Sequence, residues 1–156
     1  MQNNYKIGDV AELLGVTVRT IRYYEEEGLV EPLRSEGGTR FYAERHIARL
    51  RAILHLAANG FSLEVIRLIA AAREGSRSGD EGSGRVIARL DGLVAELGSR
   101  IAELEELRDE VLRARGWVRK CRGCTNRPTS TGCPGCPVRK HVNDVELLGL
   151  IWDQQD

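Results

Sequence analysis

The chain has few aromatic residues, no long apolar run and no cysteine outside one short segment. Aromatic residues make up 5% of its 156 positions, so aliphatic side chains must form most of any core. No apolar run approaches the about 20 residues that cross a bilayer, and no basic N-terminus precedes an apolar signal core. We therefore expect a soluble, cytoplasmic protein with no membrane partner. Its length suits a small domain with a helical appendage rather than a large enzyme cleft.

Catalytic motifs are also missing from the sequence. No Ser/His/Asp grouping, paired carboxylate site or phosphate-cradling loop is visible, and His46 and His55 lie far from the cysteines, as ordinary structural histidines. The Cys133-Pro-Gly-Cys136 motif lacks the βαβ unit in which thiol–disulfide active sites occur. We expect no enzymatic activity. The formal net charge is zero, but the basic groups are segregated, so net charge does not exclude a nucleic-acid ligand.

All four cysteines belong to two Cys-x-x-Cys pairs separated by eight residues. They are Cys121, Cys124, Cys133 and Cys136. Four soft thiolates at this spacing suit one tetrahedral zinc ion or one iron–sulfur cluster, and a reducing compartment favours such a site over disulfides. Two independent pairs, or unligated cysteines, are the alternatives to a single site.

The cysteines lie in a segment without acidic residues, between Glu110 and Asp144. Its basic residues, here called the basic collar, are Arg113, Arg115, Arg119, Lys120, Arg122, Arg127, Arg139 and Lys140. A collar of this kind offsets the negative charge of a four-thiolate centre and is expected to lower the pKa values of the thiols. Additional contacts with phosphate groups are the alternative role.

The N-terminal half has the pattern of a winged helix-turn-helix. Apolar residues at helical spacing end at Gly15, and Thr17 can cap a second helix. A β-hairpin turned at Gly37 and Gly38 is predicted next, and then two further helices, the second beginning at Ser62. We assign residues 1–74 to a winged helix-turn-helix DNA-binding domain.

A long helix with a heptad repeat is predicted after a hinge. Residues 75–84 are rich in glycine and serine and predict the hinge, and residues 85–120 predict a dimerisation helix. Its seam consists of Leu90, Leu97, Leu104, Val111 and Val118, with Val86, Leu93, Leu107 and Ala114 in the companion register. Only Arg100 breaks the seam. Such a helix needs a partner, so we expect an antiparallel coiled coil in a homodimer, the alternative being packing on its own head.

The C-terminal part is divided into a four-cysteine metal- or cluster-binding loop, residues 121–141, and a short helix, residues 142–156. Asn143 and Glu146 have the spacing of a capping box before a strongly apolar run. We expect this helix to pack against the loop and the partner's head and to transmit changes at the cysteines. The alternative is a helix that only covers the end of the coiled coil. The predicted fold is mainly α throughout.

The N-terminal half resembles the MerR family of bacterial transcription regulators. The resemblance is carried by the run Gly15-Val16-Thr17-Val18-Arg19-Thr20-Ile21-Arg22-Tyr23-Tyr24-Glu25 and by Gly38-Thr39-Arg40-Phe41-Tyr42 after it. The resemblance covers about the first seventy residues as sequence and the remainder as layout. It implies a homodimer on double-stranded promoter DNA whose −35 and −10 elements are too far apart. Distortion of that DNA would then let RNA polymerase engage both elements.

The candidate DNA-binding residues lie on the second helix and the wing. They are Thr17, Val18, Arg19, Thr20, Arg22, Tyr23, Arg40 and Tyr42. Val18, Arg19 and Arg22 fall in the first turns of a recognition helix, where side chains meet base edges. Of Tyr23 and Tyr24, one ring is expected in the core and one hydroxyl on phosphate, while Arg40 and Tyr42 would hold the flanking backbone. Solvated arginines are the alternative, and the Glu25-Glu26-Glu27 run is expected to be solvated and directed away from DNA.

The resemblance leaves the cofactor open between two kinds of relative. SoxR-like redox sensors of the family carry a four-cysteine [2Fe–2S] loop after the same helix, with tighter cysteine spacing than here. Mercury- and lead-sensing members have a cysteine pair eight residues apart followed by proline, as Cys124, Cys133 and Pro134 are. We favour a [2Fe–2S] cluster slightly over zinc or another thiophilic ion. The rival function is an architectural DNA-binding dimer with a purely structural zinc site.

Overall fold

The computed structural model describes residues 4–127, 129, 133 and 135–152, and helices dominate it, as predicted. The chain separates into two compact units, Met1–Asp91 and Gly92–Asp156. The predicted segments 1–74, 121–141 and 142–156 each include a few residues outside the described part. Among the described helices, none combines the length and the apolarity that a bilayer span requires.

Two short helices form the predicted helix-turn-helix, α1 (Ile7–Leu14) and α2 (Val18–Glu26). Gly15 ends α1 with φ of 65°, a left-handed conformation that glycine adopts without a Cβ clash. The Thr17 hydroxyl accepts the Thr20 N–H at 3.1 Å and so caps α2. Both sequence signals therefore predicted the turn correctly.

A small antiparallel sheet follows, with strands in the order β1-β3-β2. The strands are β1 (Asn4–Tyr5), β2 (Leu33–Arg34) and β3 (Arg40–Ala43). The hairpin β2–β3 is the predicted wing, and its turn closes where the Gly38 N–H donates to the Ser35 carbonyl at 2.9 Å. Strand β1 pairs Tyr5 with Tyr42. It was not predicted because two residues carry no detectable alternation.

Two more helices complete the first unit, α3 (Glu44–Ala58) and α4 (Leu63–Ala70). Ser62 caps α4 by accepting the Val65 N–H at 3.3 Å, as expected. The core of this unit draws on every one of these elements except β1 and β2. Its most buried side chains are Val10, Ile21, Leu29, Tyr42, Ile47, Leu50 and Ile66.

The long helix α5 (Gly79–Val118) begins earlier than predicted. Six of the ten residues assigned to the hinge are helical, because the Ser78 hydroxyl accepts the Glu81 N–H at 3.1 Å. The Glu81 carboxylate in turn accepts the Arg77 N–H at 3.0 Å. This reciprocal capping offsets the low helix propensity of Gly79, Gly82 and Gly84. With 40 residues, α5 is about 60 Å long.

The C-terminal unit has its own small core. A 3₁₀ turn, Arg119–Cys121, follows α5, a second one, Arg139–His141, follows the cysteines, and α6 (Glu146–Trp152) ends the described chain. A buried cluster, here called the C-terminal core, joins these elements. It consists of Ala114, Val138, Val145 and Leu148. The predicted packing of the last helix against the cysteine loop is therefore present.

Candidate functional site

The outward face of α2 carries three of the eight predicted DNA-binding residues. Arg19, Arg22 and Tyr23 are exposed, whereas Val18 and Thr20 are half-buried behind them. The residues Val18, Arg19, Arg22, Tyr23 and Glu26 line one shallow cavity of about 610 Å³. Two guanidinium groups and a phenol thus share one open surface, which suits contact with base edges and phosphates.

The two adjacent tyrosines divide as predicted. Tyr24 is 7% exposed and belongs to the core, while Tyr23 is 45% exposed on the outward side of α2. Burial, followed by the nearby Tyr23, raises the pKa of Tyr24 above its ordinary value. Tyr24 therefore stays neutral at physiological pH.

The glutamate run at the end of α2 is not uniformly solvated, and this corrects the expectation. Glu25 is enclosed and accepts hydrogen bonds from Arg40 Nε, at 3.0 Å, and from the Tyr42 hydroxyl. Glu27 forms an ion pair with Arg67 of α4. Glu26 is exposed and lines the same cavity as Arg19 and Arg22. Two of the three carboxylates therefore connect α2 to other elements of the domain, Glu25 to β3 and Glu27 to α4.

Tyr42 also differs from the expectation that it contacts the DNA backbone. Its side chain is fully buried, and its hydroxyl donates to Glu25 rather than facing outward. Strand alternation is the reason: Phe41 and Tyr42 point to opposite faces of β3, and the inner face belongs to Tyr42. Arg40 remains partly exposed beside Glu25, so it alone of this wing pair has a polar group at the surface.

The two histidines of the N-terminal half, expected to be surface or partly buried residues rather than ligands, lie in different environments. His46 is buried, and its Nδ1 accepts the Ala43 N–H at 3.0 Å at the start of α3. Burial, with Arg45 and Arg49 adding to the effect, lowers the pKa of His46 below its ordinary value. His55 is exposed on α3, remote in sequence from the cysteines.

Each cysteine pair forms a tight turn in the second unit. The Cys124 N–H donates to the Cys121 carbonyl at 3.0 Å, and the Cys136 N–H donates to the Cys133 carbonyl at 3.2 Å. Gly123 has φ of 80°, so a glycine is required in the first turn. The two turns give the segment the local form of paired metal-binding knuckles. Pro134 and residues 130–132 lie outside the described residues.

Backbone amides, rather than the basic collar, lower the pKa of one cysteine in this segment. The N–H groups of Arg139 and Val138 hydrogen-bond to the Cys136 sulfur and lower its pKa. Burial is the largest cause that raises the pKa of Cys121, followed by the neighbouring Cys136, to which the Cys121 thiol donates a hydrogen bond. No collar side chain is among the causes of either shift. The expected effect of the collar on thiol acidity is therefore not what perturbs these two cysteines.

Cys121 is an electrostatic neighbour of the other three cysteines. Cys121 interacts with Cys136, Cys124 and Cys133, in that order of strength. Among the described residues, however, no three His, Cys, Asp or Glu side chains form a ready-made group for an ion. The fit to a metal therefore rests on the donor set: four thiols on two knuckles, one of which, Cys136, has a lowered pKa. Such donors suit zinc, lead and other thiophilic ions.

Three residues beside the cysteines were not singled out from the sequence. Trp117 stacks on His141 with ring centroids 3.7 Å apart and planes 19° from parallel. The carboxylate of Glu110 accepts the Leu147 N–H at 3.1 Å and so satisfies an amide in the first turn of α6. Contacts across 24 to 37 positions of sequence carry no local pattern, which explains why they were missed.

The heptad seam of α5 is exposed in the single chain. Leu90, Leu97, Leu104, Val111 and Val118 have exposures between 37% and 64%. Ala114, also assigned to the seam, is instead buried in the C-terminal core at 5% exposure. Arg100 forms an ion pair with Glu96 one turn earlier, which partly neutralises the single charge within the seam.

Two protein-family models match this chain. One, described as MerR HTH family regulatory protein, matches residues 5–73, and the other, described as MerR, DNA binding, matches residues 47–114. Together they cover the helix-turn-helix, the wing and most of α5.

Individual relatives match over most of their length. The HTH-type transcriptional regulator ZntR of Escherichia coli (strain K12) is 39% identical over 112 residues, 70% of this chain and 77% of ZntR. The HTH-type transcriptional regulator CueR of Escherichia coli O6:H1 is 35% identical over 144 residues, 88% of this chain and 93% of CueR. Among solved structures, PbrR691 from Ralstonia metallidurans CH34 in complex with lead(II) is 32% identical, with a TM-score of 0.55. That match covers 88% of this chain and 98% of PbrR691.

Proposed function

The chain belongs to the MerR family of DNA-binding transcription regulators, and we propose that it works as a homodimer whose output depends on a thiophilic metal ion bound by Cys121, Cys124, Cys133 and Cys136. Its relatives are transcription regulators and not enzymes, and this chain is likewise a regulator and not an enzyme. Within the proposal, α2 and the wing contact promoter DNA, α5 joins the two copies, and the cysteine knuckles hold the ion.

The observation that carries the metal proposal is the paired-knuckle backbone with the amide-bonded Cys136 sulfur. Backbone N–H groups that lower the pKa of a thiol favour its thiolate form, which is the form that binds a metal ion. The solved relative PbrR691 holds lead(II), which is a thiophilic ion. When bound, the ion would supply four metal–sulfur bonds that join the two knuckles.

The DNA-contacting residues are proposed from exposure and charge. Arg19, Arg22 and Tyr23 face outward from α2, and Thr17 lies at its N-cap with an exposed position. Val18 and Thr20 support this surface from half-buried positions. Arg40 is the proposed wing contact. Tyr42 is not proposed as a DNA contact, because its buried hydroxyl is bonded to the Glu25 carboxylate that Arg40 also contacts.

Dimerisation is supported by the exposed seam of α5. A continuous stripe of leucine and valine along a 40-residue helix leaves a large apolar area in water unless a second helix covers it. An identical helix in the antiparallel direction is the proposed cover. Activation by distortion of promoter DNA, with RNA polymerase on the same promoter, follows from the family resemblance and stays a prediction.

Two alternatives predict different behaviour of the same four thiols. A [2Fe–2S] cluster, slightly favoured from sequence, would give a coloured protein containing iron and sulfide, whereas zinc or lead would not. The solved relative PbrR691 is in complex with lead(II), so the proposal is stated for a metal ion. A purely structural zinc would stabilise the loop without altering DNA binding or transcription.

The metal proposal is tested by metal content, with the full-length protein purified anaerobically. Zinc or lead is titrated against a competing chelator, and elemental analysis gives the stoichiometry. We expect one ion for each set of four thiols, and no ion in a variant with all four cysteines changed to serine. Equal binding by the wild type and the serine variant would contradict the proposal. Iron and sulfide in the purified protein would show that the four thiols hold a cluster instead of a single ion.

The DNA interface is tested with a DNA fragment selected for binding to the protein. Arg19→Ala and Arg22→Ala should each weaken binding by about five- to 150-fold, the range of one lost bidentate base contact. Arg51→Ala, a matched change at an exposed position of α3, should leave affinity within about twofold. If Arg51→Ala weakened binding as much as the α2 changes, nonspecific charge would explain the affinity instead.

A further inference from the structure

Trp117 and His141 form a contact between the end of α5 and the exit of the cysteine loop. Their rings stack at 3.7 Å between centroids. Trp117 lies in the last turn of α5, and His141 ends the 3₁₀ turn five residues after Cys136. His141 Nδ1 lies 2.7 Å from an Asp144 carboxylate oxygen, which fixes the ring. Lys120 Nζ lies 3.6 Å from the Trp117 centroid and adds a cation–π contact.

The same tryptophan packs against the buried cluster that two of the cysteines also contact. Trp117, Cys121 and Cys136 are partly buried against the C-terminal core, which α5, the loop and α6 share. A close-packed core transmits displacement, because its side chains have no space in which to absorb it. A change in the separation of Cys121 and Cys136 therefore has to be accommodated where Trp117 meets this core.

We propose that the Trp117–His141 stack is the positioning element through which occupancy of the cysteine loop alters the last turns of α5. The inference rests on the proposed metal-binding function and adds the residues that connect the site to the dimerisation helix. Four zinc–sulfur bonds of about 2.3 Å in tetrahedral geometry restrict the separations between the sulfurs. Binding thus selects one arrangement of the loop, and the stack carries that arrangement to α5.

His141 acts here by stacking and not as a ligand. Its ring face is covered by Trp117, and its Nδ1 is bonded to Asp144. Both contacts hold the ring against α5. His141→Asn removes the stack and keeps a polar group for Asp144, whereas Trp117→Phe keeps an apolar ring of smaller area. These two variants retain the packing of the C-terminal core better than alanine would.

The test uses the full-length protein with and without one equivalent of lead(II) or zinc per four thiols. Amide hydrogen exchange is followed in peptides covering residues 105–118, and the ion affinity is measured in parallel. In the wild type, the ion should slow exchange in these turns by about fivefold or more. In Trp117→Phe and His141→Asn, the ion should bind with affinity within about twofold of the wild type, and the change in α5 should be lost or strongly reduced.

A second readout isolates Trp117 itself. The chain has two tryptophans, so a Trp152→Phe background leaves Trp117 as the only indole fluorophore. The ion should shift its emission in that background, and the shift should fall when His141 becomes Asn. His55→Asn, at an exposed position of α3, is the matched control and should change neither readout.

Each outcome bears on one of the two proposals. If the wild type binds no ion, the proposed function fails and the coupling fails with it. If the ion binds but α5 exchange is the same with and without it, or changes equally in His141→Asn, the coupling is wrong and the metal site stands. Loss of ion binding in both variants would overturn the coupling too, since it would assign these residues to holding the ion.

Discussion

Glu25 is the residue on which the wing depends. Its carboxylate receives Arg40 and the buried Tyr42 hydroxyl, so one side chain of α2 fixes two side chains of β3. A carboxylate with two donors in an enclosed site is well satisfied, and loss of either donor leaves part of it unpaired. The position and orientation of the wing therefore depend on Glu25, which was expected from the sequence to be a solvated surface charge.

Tyr42→Phe should destabilise the N-terminal unit without weakening DNA binding directly. Removal of the buried hydroxyl leaves a Glu25 oxygen without its donor, at a cost of about 1–3 kcal/mol in the free energy of unfolding. Urea denaturation followed by circular dichroism measures this change. Tyr5→Phe, which removes an exposed hydrogen bond to Glu44, should cost no more than about 0.5 kcal/mol. Lower DNA affinity of Tyr42→Phe under conditions where it is fully folded would contradict this assignment.

His46 should make the stability of the N-terminal unit depend on pH. Burial lowers its pKa in the folded state, so the unfolded state takes up the proton first as pH falls. The contribution of His46 is fully present above the unfolded pKa of about 6.5 and is lost as pH falls towards the lower folded pKa. Thermal unfolding between pH 7.5 and 5 should therefore show a steeper loss of stability in the wild type than in His46→Gln. The control variant His55→Gln should lose stability with falling pH as the wild type does. If His46→Gln lost as much stability as the wild type over this pH range, a group other than His46 would be responsible.

At the scale of elements, α5 presents its seam to a second copy of the chain. Leu97→Glu places a carboxylate in that seam and should raise the dimer dissociation constant by about a hundredfold or more, since an unpaired buried charge costs several kcal/mol. Ala95→Glu adds the same charge at an exposed position off the seam and should leave the dimer intact. Molar mass by light scattering across a concentration series distinguishes the two. A Leu97→Glu protein that stays dimeric would assign dimerisation to another surface.

Local signals predicted the elements well where a cap or a turn was involved. Thr17, Gly15 and Ser62 have the expected positions and hydrogen bonds because each acts within four residues of chain. The start of α5 was misplaced because glycine content was given more weight than the cap formed by Ser78 and Glu81. Tyr42, Ala114 and Trp117 were misassigned or missed because their environments are formed by residues distant in sequence.

At the scale of the whole molecule, the two units divide the proposed tasks. The first holds the exposed arginines of α2 and the wing, and the second holds all four cysteines around its own small core. Cysteine spacing predicts four thiols as the donor set, and that assignment stays a prediction. The source of thiolate stabilisation was not predictable, because backbone amides of Val138 and Arg139 provide it rather than the basic side chains that the sequence displays.

A single assay tests DNA binding and ion binding together: transcription in vitro from a selected promoter fragment, with polymerase and increasing lead(II) or zinc. The wild-type dimer should change transcript yield by about tenfold or more as the ion fills the site, which corresponds to about 1.4 kcal/mol of coupling. The variant with serine at positions 121, 124, 133 and 136 should bind the same DNA and give a yield that does not depend on the ion. An identical ion response from the serine variant, or no response from a metal-loaded wild type, would contradict a metal-responsive regulator.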